Sequence, residues 1–421
     1  MKKYLLLITF IWIGIYCLAQ QVNPGSPTIQ VKDLQATELP IRISNVNIDI
    51  KVVGPLAVTT VEMTLYNPNK RVLEGELQFP LAEGQNISRF ALDINGKLRE
   101  GVVVEKAKGQ EVFESIVRRG VDPGLLEKTQ GNNFKTRVYP LFARGTRKVV
   151  IAYEQELPKT GDNYRFFLPV EYGNNELDKF NLHITVFGKE TQPKIDKTPW
   201  GGFTFSNEGD VYQASYSAQK YKGKGQLVFS VPVKNDALTF LEKGIISGET
   251  IFYSQVFPPL KEQSREVPKR IALYWDASSS MDRRNFDLEA NMLSGYFKEI
   301  GNVTVDLHTF NCFLGKAQTF NIRNGNWNAL RETLEKVSYD GATRLGALDF
   351  ADVNADEIFL FSDGLSNFGE QIQQIGGTPI SVVCSSLSAD HSLLTYLATA
   401  SGGKYINLLQ QAPSDAVKLL L

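Results

Sequence analysis

The sequence predicts a multidomain fold: an N-terminal all-β sandwich with a further β region, then an α/β domain built on a doubly wound sheet. Two patterns and one bulk property carry that prediction. Up to about residue 267, apolar side chains recur with a period of two, in runs punctuated by Gly, Pro and Asn. From Pro268 onward, short apolar runs alternate with stretches of helical spacing, as βαβ units require. The 421 residues, 43% hydrophobic and 22% charged, suffice for two or three buried cores. A formal net charge of -1 supplies no basic field of the kind that nucleic-acid partners need.

Residues 1–19, MKKYLLLITFIWIGIYCLA, read as a signal peptide: Lys2 and Lys3, an apolar run, then small residues before Gln20. The run is slightly short for a spanning helix, and an uncleaved membrane anchor is the alternative. Tyr16 before Cys17 argues against lipid modification of that cysteine, whose processing wants a small residue there. The expected location is exported: periplasm, cell surface or secreted. Cleavage would leave Cys312 and Cys384, too few for a disulfide framework, so the cores must hold by burial. That poverty of disulfides, with the short signal, leans bacterial. His183, His308 and His391 have no metal-ligand spacing among them.

Residues 20–38, with Pro24, Gly25 and Pro27, are expected to form a linker. Over 39–158 the pattern is strands: TTVEMTLYNP turns Val61, Met63 and Leu65 inward, and RKVVIAYEQEL does the same with Val149, Ile151 and Tyr153. Between them EKAKGQEVFESIVRRG has helical spacing and stops at Gly120, where Asp122-Pro123-Gly124 supplies turn chemistry. A β-sandwich with one inserted helix follows.

This stretch resembles the vault/inter-alpha-trypsin (VIT) domain. The resemblance rests on FPL, EK before the helix, DPGLLE, GN with Phe134, and RVYPL followed by GTRKV, in that order. It implies a β-sandwich of the sort usually paired with a metal-binding adhesive domain, in a layout similar to inter-alpha-trypsin inhibitor heavy chains, and it implies no catalytic centre.

Residues 159–267 read as an additional β region extending or packing on the first, with strands in YRFFLPVEY, FNLHITVFG, VYQASYSA and GQLVFSVPV. FLEKGIISGETIFYSQVFPP should add two more. Residues 268–421 carry the α/β pattern. Strands are expected in RIALYWDA, VTVDLHTF, QTFNI, EIFLFSDG, PISVVCS and KYINL, and helices over 284–300, 327–336, 345–351 and 391–400, with a last one capped by Ser414. The first helix presents Phe286, Ala290, Leu293, Phe297 and Ile300 on one stripe. In the expected strand order 3-2-1-4-5-6, Cys312 and Cys384 would lie about 14 Å apart, as separate buried thiols.

In such a sheet ligands sit beyond the carboxyl ends of the strands. There the segment IALYWDASSSMD aims Asp276, Ser278 and Ser280; SYDGATRLGAL presents Thr343, and FLFSDG presents Asp363. Three hydroxyls and two carboxylates are all hard oxygen donors, a set suited to Mg²⁺ and less selectively to Mn²⁺ or Ca²⁺. Capping by Ser280 or Asp282, and a simple turn at Asp363-Gly364, are the structural alternatives.

The same five residues resemble the metal-ion-dependent adhesion site (MIDAS) of von Willebrand factor type A domains. The match is D-x-S-x-S after the first strand, a threonine in a glycine-containing loop, and an aspartate after the fourth strand. The resemblance implies that Ser278 and Ser280 bind the ion directly, Thr343 directly or through water, and that Asp276 and Asp363 hold bound waters. It further implies cell adhesion or protein–protein interaction, with a partner protein supplying an Asp or Glu carboxylate.

Two other function classes stand beside this binding module. A structural subunit of a cell-envelope assembly would use the metal only for stability. A hydrolase is disfavoured because no G-x-S-x-G elbow, triad histidine or cluster of direct carboxylate ligands is present.

Overall fold

The computed structural model describes residues 27–421 apart from 32, 95, 102–124, 130, 173–175, 189–191, 234–236, 244–248, 257–265, 367, 371, 373 and 387. The signal-peptide stretch, and the helix and Asp122-Pro123-Gly124 turn expected within 102–124, lie outside the described residues.

Period-two alternation builds the N-terminal half. Its largest sheet has eight strands, centred on Arg42–Val53, Leu56–Tyr66 and Thr146–Glu156. The first two are joined through Gly54, whose φ of 56° suits a tight reversal. Val61, Met63, Leu65, Val149, Ile151 and Tyr153 are all buried, as the alternation predicts. On its other flank Arg42–Val53 pairs in parallel with Leu177–Phe187, which in turn pairs with Val211–Tyr221. The strands Asn163–Pro169 and Gln226–Pro232 belong to a smaller sheet, where Phe166 stacks on Phe229 with ring centroids 4.8 Å apart. One continuous apolar core runs from Ile29 to Val231. The region after 159 therefore both extends the first sheet and packs on it.

The expected linker is partly structural. Thr28–Gln30 pairs with Leu73–Pro80, because Ile29 between polar neighbours can point into the core. The last strands before the α/β half, Ala237–Lys243 and Thr250–Val256, pair among the described residues with each other alone, with Leu241 and Phe252 exposed.

The six C-terminal strands are β1 (Arg270–Asp276), β2 (Val303–Phe310), β3 (Gln318–Ile322), β4 (Glu357–Phe361), β5 (Ile380–Cys384) and β6 (Tyr405–Asn407). Their order is β3-β2-β1-β4-β5-β6, parallel except for β3. Helices are α1 (Phe286–Ile300), α2 (Asn328–Glu335), α3 (His391–Ala400) and α4 (Pro413–Leu420). Strands β4 and β5 are apolar almost throughout because both faces are covered. Ile271, Leu273 and Trp275 share one core with α1, α2 and α4, while Ala272 and Tyr274 share another with α3. The α1 stripe is buried at Ala290, Leu293, Phe297 and Ile300, and half-buried at Phe286.

Three local expectations are corrected. The helix expected over 345–351 is only a 3₁₀ turn, Leu345–Ala347, since Asp349 Oδ1 takes the amide of Ala351 and competes with helix continuation. Helix α4 begins at Pro413 with no side-chain cap, because proline's fixed φ is already helical and Ser414 lies inside. Cys384 is a buried free thiol, but Cys312, two residues past the end of β2, is half-exposed, with Sγ directed at the Ala342 carbonyl.

His391 opens α3 from a buried position; Nδ1 meets Tyr405 Oη at 2.5 Å and Nε2 has no partner. Burial pushes its pKa down to about 4. A histidine that stays neutral when folded yet protonates near 6.5 when unfolded contributes stability present above about pH 6.5 and lost as pH falls toward 4. The swing is on the order of 3 kcal/mol. Urea melts from pH 7 to 4 should show His391→Phe losing about one proton's worth of the wild-type slope; equal slopes would contradict this.

Candidate metal centre

Strands β1 and β4 are neighbours at the point where the strand order reverses, and both end at the same rim. Asp276 is the last residue of β1, and Asp363 follows β4 by two residues. After β1 the chain turns through a short 3₁₀ helix, Ser279–Arg283, preceded by Ser278. The Ser278 side chain makes no capping bond, and α1 is capped instead by Asn285, whose Oδ1 accepts from the Leu288 amide. Neither Ser280 nor Asp282 is that cap, so the serine hydroxyls are not committed to capping α1.

Asp276 Oδ1 accepts the Ser278 amide at 3.0 Å, and its Oδ2 accepts Ser362 Oγ at 2.7 Å. Ser278 Oγ lies 3.2 Å from Ser280 Oγ, and Ser280 in turn bonds the Asp363 carboxylate. Asp363 Oδ1 also accepts the Leu365 amide at 2.9 Å, which makes Asp363-Gly364 a turn as well. Thr343 arrives on the loop before the 3₁₀ turn. That loop is fixed to the serine segment by Ser279 N to Gly341 O and Asp340 N to Ala277 O, both 3.0 Å. The Phe368 amide bonds the Thr343 carbonyl, so the Asp363 loop closes the third side. Asp276, Ser278, Thr343 and Asp363 are buried, whereas Ser280 is exposed and marks the mouth.

The electrostatics are unbalanced. Burial pushes both carboxyls up; for Asp363 the neighbouring Asp276 charge adds to burial, and its pKa reaches about 7. The buried cation at this edge, Arg284, gives its Nε to Glu289 Oε2 at 2.8 Å instead. Two carboxylates and two serine hydroxyls meeting at one rim, with Thr343 on the adjoining loop, are all hard oxygen donors of the kind that suits a divalent cation.

Sequence reasoning missed the layer beneath. Arg284 donates Nη1 to the Asp276 carbonyl and Nη2 to the Phe361 carbonyl, and its guanidinium lies 3.7 Å over the Trp275 ring. Glu289 also accepts Ser385 Oγ at 2.8 Å, and Ser362 holds Asp276 as described above. The one available signal was Glu289 falling beside the apolar stripe of α1, a place where a charge needs a partner.

The fold and site define a β-sandwich protein carrying an α/β domain with a cluster of oxygen-bearing side chains at its switch point. Residues 43–153 match the family profile described as vault protein inter-alpha-trypsin domain. Bovine inter-alpha-trypsin inhibitor heavy chain H4 is 24% identical over 269 residues, covering 60% of this chain and 29% of the relative. The human heavy chain H4 is 24% identical over 264 residues, covering 58% and 28%, and the human heavy chain H6 is 24% identical over 185 residues, covering 44% and 13%. The chain thus spans less than a third of the length of these curated relatives. Among solved structures, an aerotolerance-related membrane protein from Bacteroides fragilis matches 36% of this chain and 96% of its own at 14% identity, with a TM-score of 0.29, too low to carry an argument. Residues 43–153 are a VIT domain, and the chain is similar in layout to the inter-alpha-trypsin inhibitor heavy chains. Among the described residues no helix is long and apolar enough to cross a membrane.

Proposed function

We propose that residues 268–421 form a von Willebrand factor type A domain with a MIDAS at Asp276, Ser278, Ser280, Thr343 and Asp363. On this reading the protein is exported and is a non-enzymatic interaction or adhesion module. Its resident ion is Mg²⁺, with Mn²⁺ or Ca²⁺ as substitutes. The observation that carries the reading is the pair of buried carboxylates, Asp276 and Asp363, close enough for the charge of one to raise the pKa of the other, while the nearby buried cation, Arg284, is paired with Glu289.

The bound ion would supply a Lewis-acidic coordination position for an anionic oxygen, here an Asp or Glu carboxylate of a partner protein. The chain's own residues do the rest. Asp276 fixes the serine loop through the Ser278 amide and, with Asp363, contributes negative charge. Ser278, Ser280 and Thr343 are neutral donors, so few direct carboxylates would quench the ion. Ser280 at the mouth faces the incoming group.

Calorimetry with Mg²⁺ or Mn²⁺ on the full chain tests this. One saturable site is expected, abolished by excess chelator and weakened about tenfold or more in Ser278→Ala. Heat that is non-saturable, or unchanged in that variant, would exclude the site. A melting temperature raised by Mg²⁺, with no Mg²⁺-dependent binding of acidic partners, would favour the structural-subunit role over adhesion.

A further inference from the structure

Among the described residues, the bonds between the N-terminal sandwich and the α/β half cluster beside the candidate cation site. Asn133 Nδ2 meets Ser388 Oγ at 3.1 Å, between the sandwich and the segment joining β5 to α3. Glu83 Oε2 accepts Asn407 Nδ2 at 3.2 Å, and its carbonyl accepts Gln410 Nε2 at 3.2 Å, just beyond β6. Burial raises the Glu83 pKa, opposed by the bond from Asn407, as for a side chain enclosed in a contact. Gly131, at a φ of 70°, packs so closely that a Cβ there would sit 2.9 Å from the Ala389 carbonyl and 3.0 Å from Leu365 Cδ2. The two sandwich loops act as one unit, since Asn132 Nδ2 bonds the carbonyls of Ala82 and Gln85.

Part of what they touch is bonded to Asp363 or adjoins a residue that is. The amide of Leu365 donates to Asp363 Oδ1 at 2.9 Å, and the amide of Asp390, next to Ala389, donates to the Asp363 carbonyl at 2.8 Å. The sandwich thus packs on Leu365, which holds the Asp363 carboxylate, and on Ala389, next to the residue that holds its backbone. Loops left to themselves open at low free energy, whereas a packed neighbour removes that freedom.

We propose that the VIT-containing sandwich is the positioning element of the cation site: Glu83 anchors it to the end of β6, and Gly131 and Asn133, thereby held in place, clamp the segments after β4 and β5 and keep Asp363 in its liganding position. This rests on the cation reading above for its effect on affinity, but not for the clamp itself. It also assigns the open side of the site. A partner must approach over Ser280, the exposed member of the set, because the β5–β6 side is covered by the sandwich.

The test uses the full chain and Mn²⁺ alone. Gly131→Val and Glu83→Ala should each weaken Mn²⁺ binding about fivefold or more. Glu83→Gln, which loses the charge but keeps an acceptor for Asn407, should stay within about twofold of wild type. Amide exchange at 363–366 and 388–390, measured without metal, should accelerate in the first two variants and not in the third. Wild-type affinity and wild-type exchange in both Gly131→Val and Glu83→Ala would overturn the clamp. Should Gly131→Val fail to fold, the Glu83→Ala and Glu83→Gln pair decides alone. Absence of Mn²⁺ binding in the wild type would instead defeat the cation reading, and the exchange data would still accept or reject the clamp.

Discussion

Asp363→Asn should abolish the thermal shift produced by Mg²⁺ while making the metal-free protein more stable. Both effects have one cause. Asp363 is buried beside Asp276, and burial with that neighbouring charge raises its pKa from 3.8 to about 7. A carboxyl whose folded pKa is raised favours the fold below its unfolded pKa, and that contribution is lost as pH rises through about 7. At pH 8 in chelator the ionised group therefore opposes folding, on the order of 4 kcal/mol for a shift of this size. Asparagine keeps an oxygen for the Leu365 amide but loses charge-assisted bonding from Ser280. A net gain of about 1–3 kcal/mol is expected after that loss. Urea denaturation at pH 8 in chelator, then with saturating Mg²⁺, gives the two numbers. A variant less stable than wild type without metal, or one that still responds fully to Mg²⁺, would mean that Asp363 is a structural turn residue only.

The second large effect lies one layer down. Arg284 and Glu289 form an ion pair with side chains 2% and 0% exposed, and their remaining bonding capacity is met by the Asp276 and Phe361 carbonyls and by Ser385. Burial works against the Arg284 charge, yet Glu289 and Tyr339 hold its pKa above the ordinary arginine value. The guanidinium thus ties together the carboxyl ends of the two strands that carry the candidate ligands, with Trp275 as its floor. Arg284→Met or Glu289→Met should each lose about 3–5 kcal/mol, because each strands an uncompensated buried charge. The double substitution should lose less than either single one, since two apolar side chains of similar volume leave no charge behind. Singles within about 1 kcal/mol of wild type, or a double variant worse than both, would contradict the pairing.

Much of this architecture was legible in the residues because burial leaves a local trace. Val61, Met63 and Leu65 alternate because their strand has one buried face, and the apolar run at β4 is unbroken because both its faces are covered. Helix α1 was visible in its stripe, although Asn285 rather than an earlier residue caps it. The 345–351 stretch was misread because Leu345 and Leu348 keep helical spacing while Asp349 diverts the backbone through its own side chain. Asp276, Ser278, Ser280 and Asp363 could be named because each closely follows a recognisable strand end, whereas Thr343 lies in the loop between α2 and β4 and was marked out by the resemblance rather than by a strand end.

By itself the sequence determined most of the strands and longer helices, and which polar side chains stand at the strand ends, since both follow from the period of burial along a few consecutive residues. Only the tertiary structure decided what those segments meet: Leu177–Phe187 beside Arg42–Val53, Arg284 against Glu289 beneath the site, and Gly131 against Ala389 beside it. Those contacts join residues through space, and a pairing between distant segments imposes no period and no spacing on the chain that carries them.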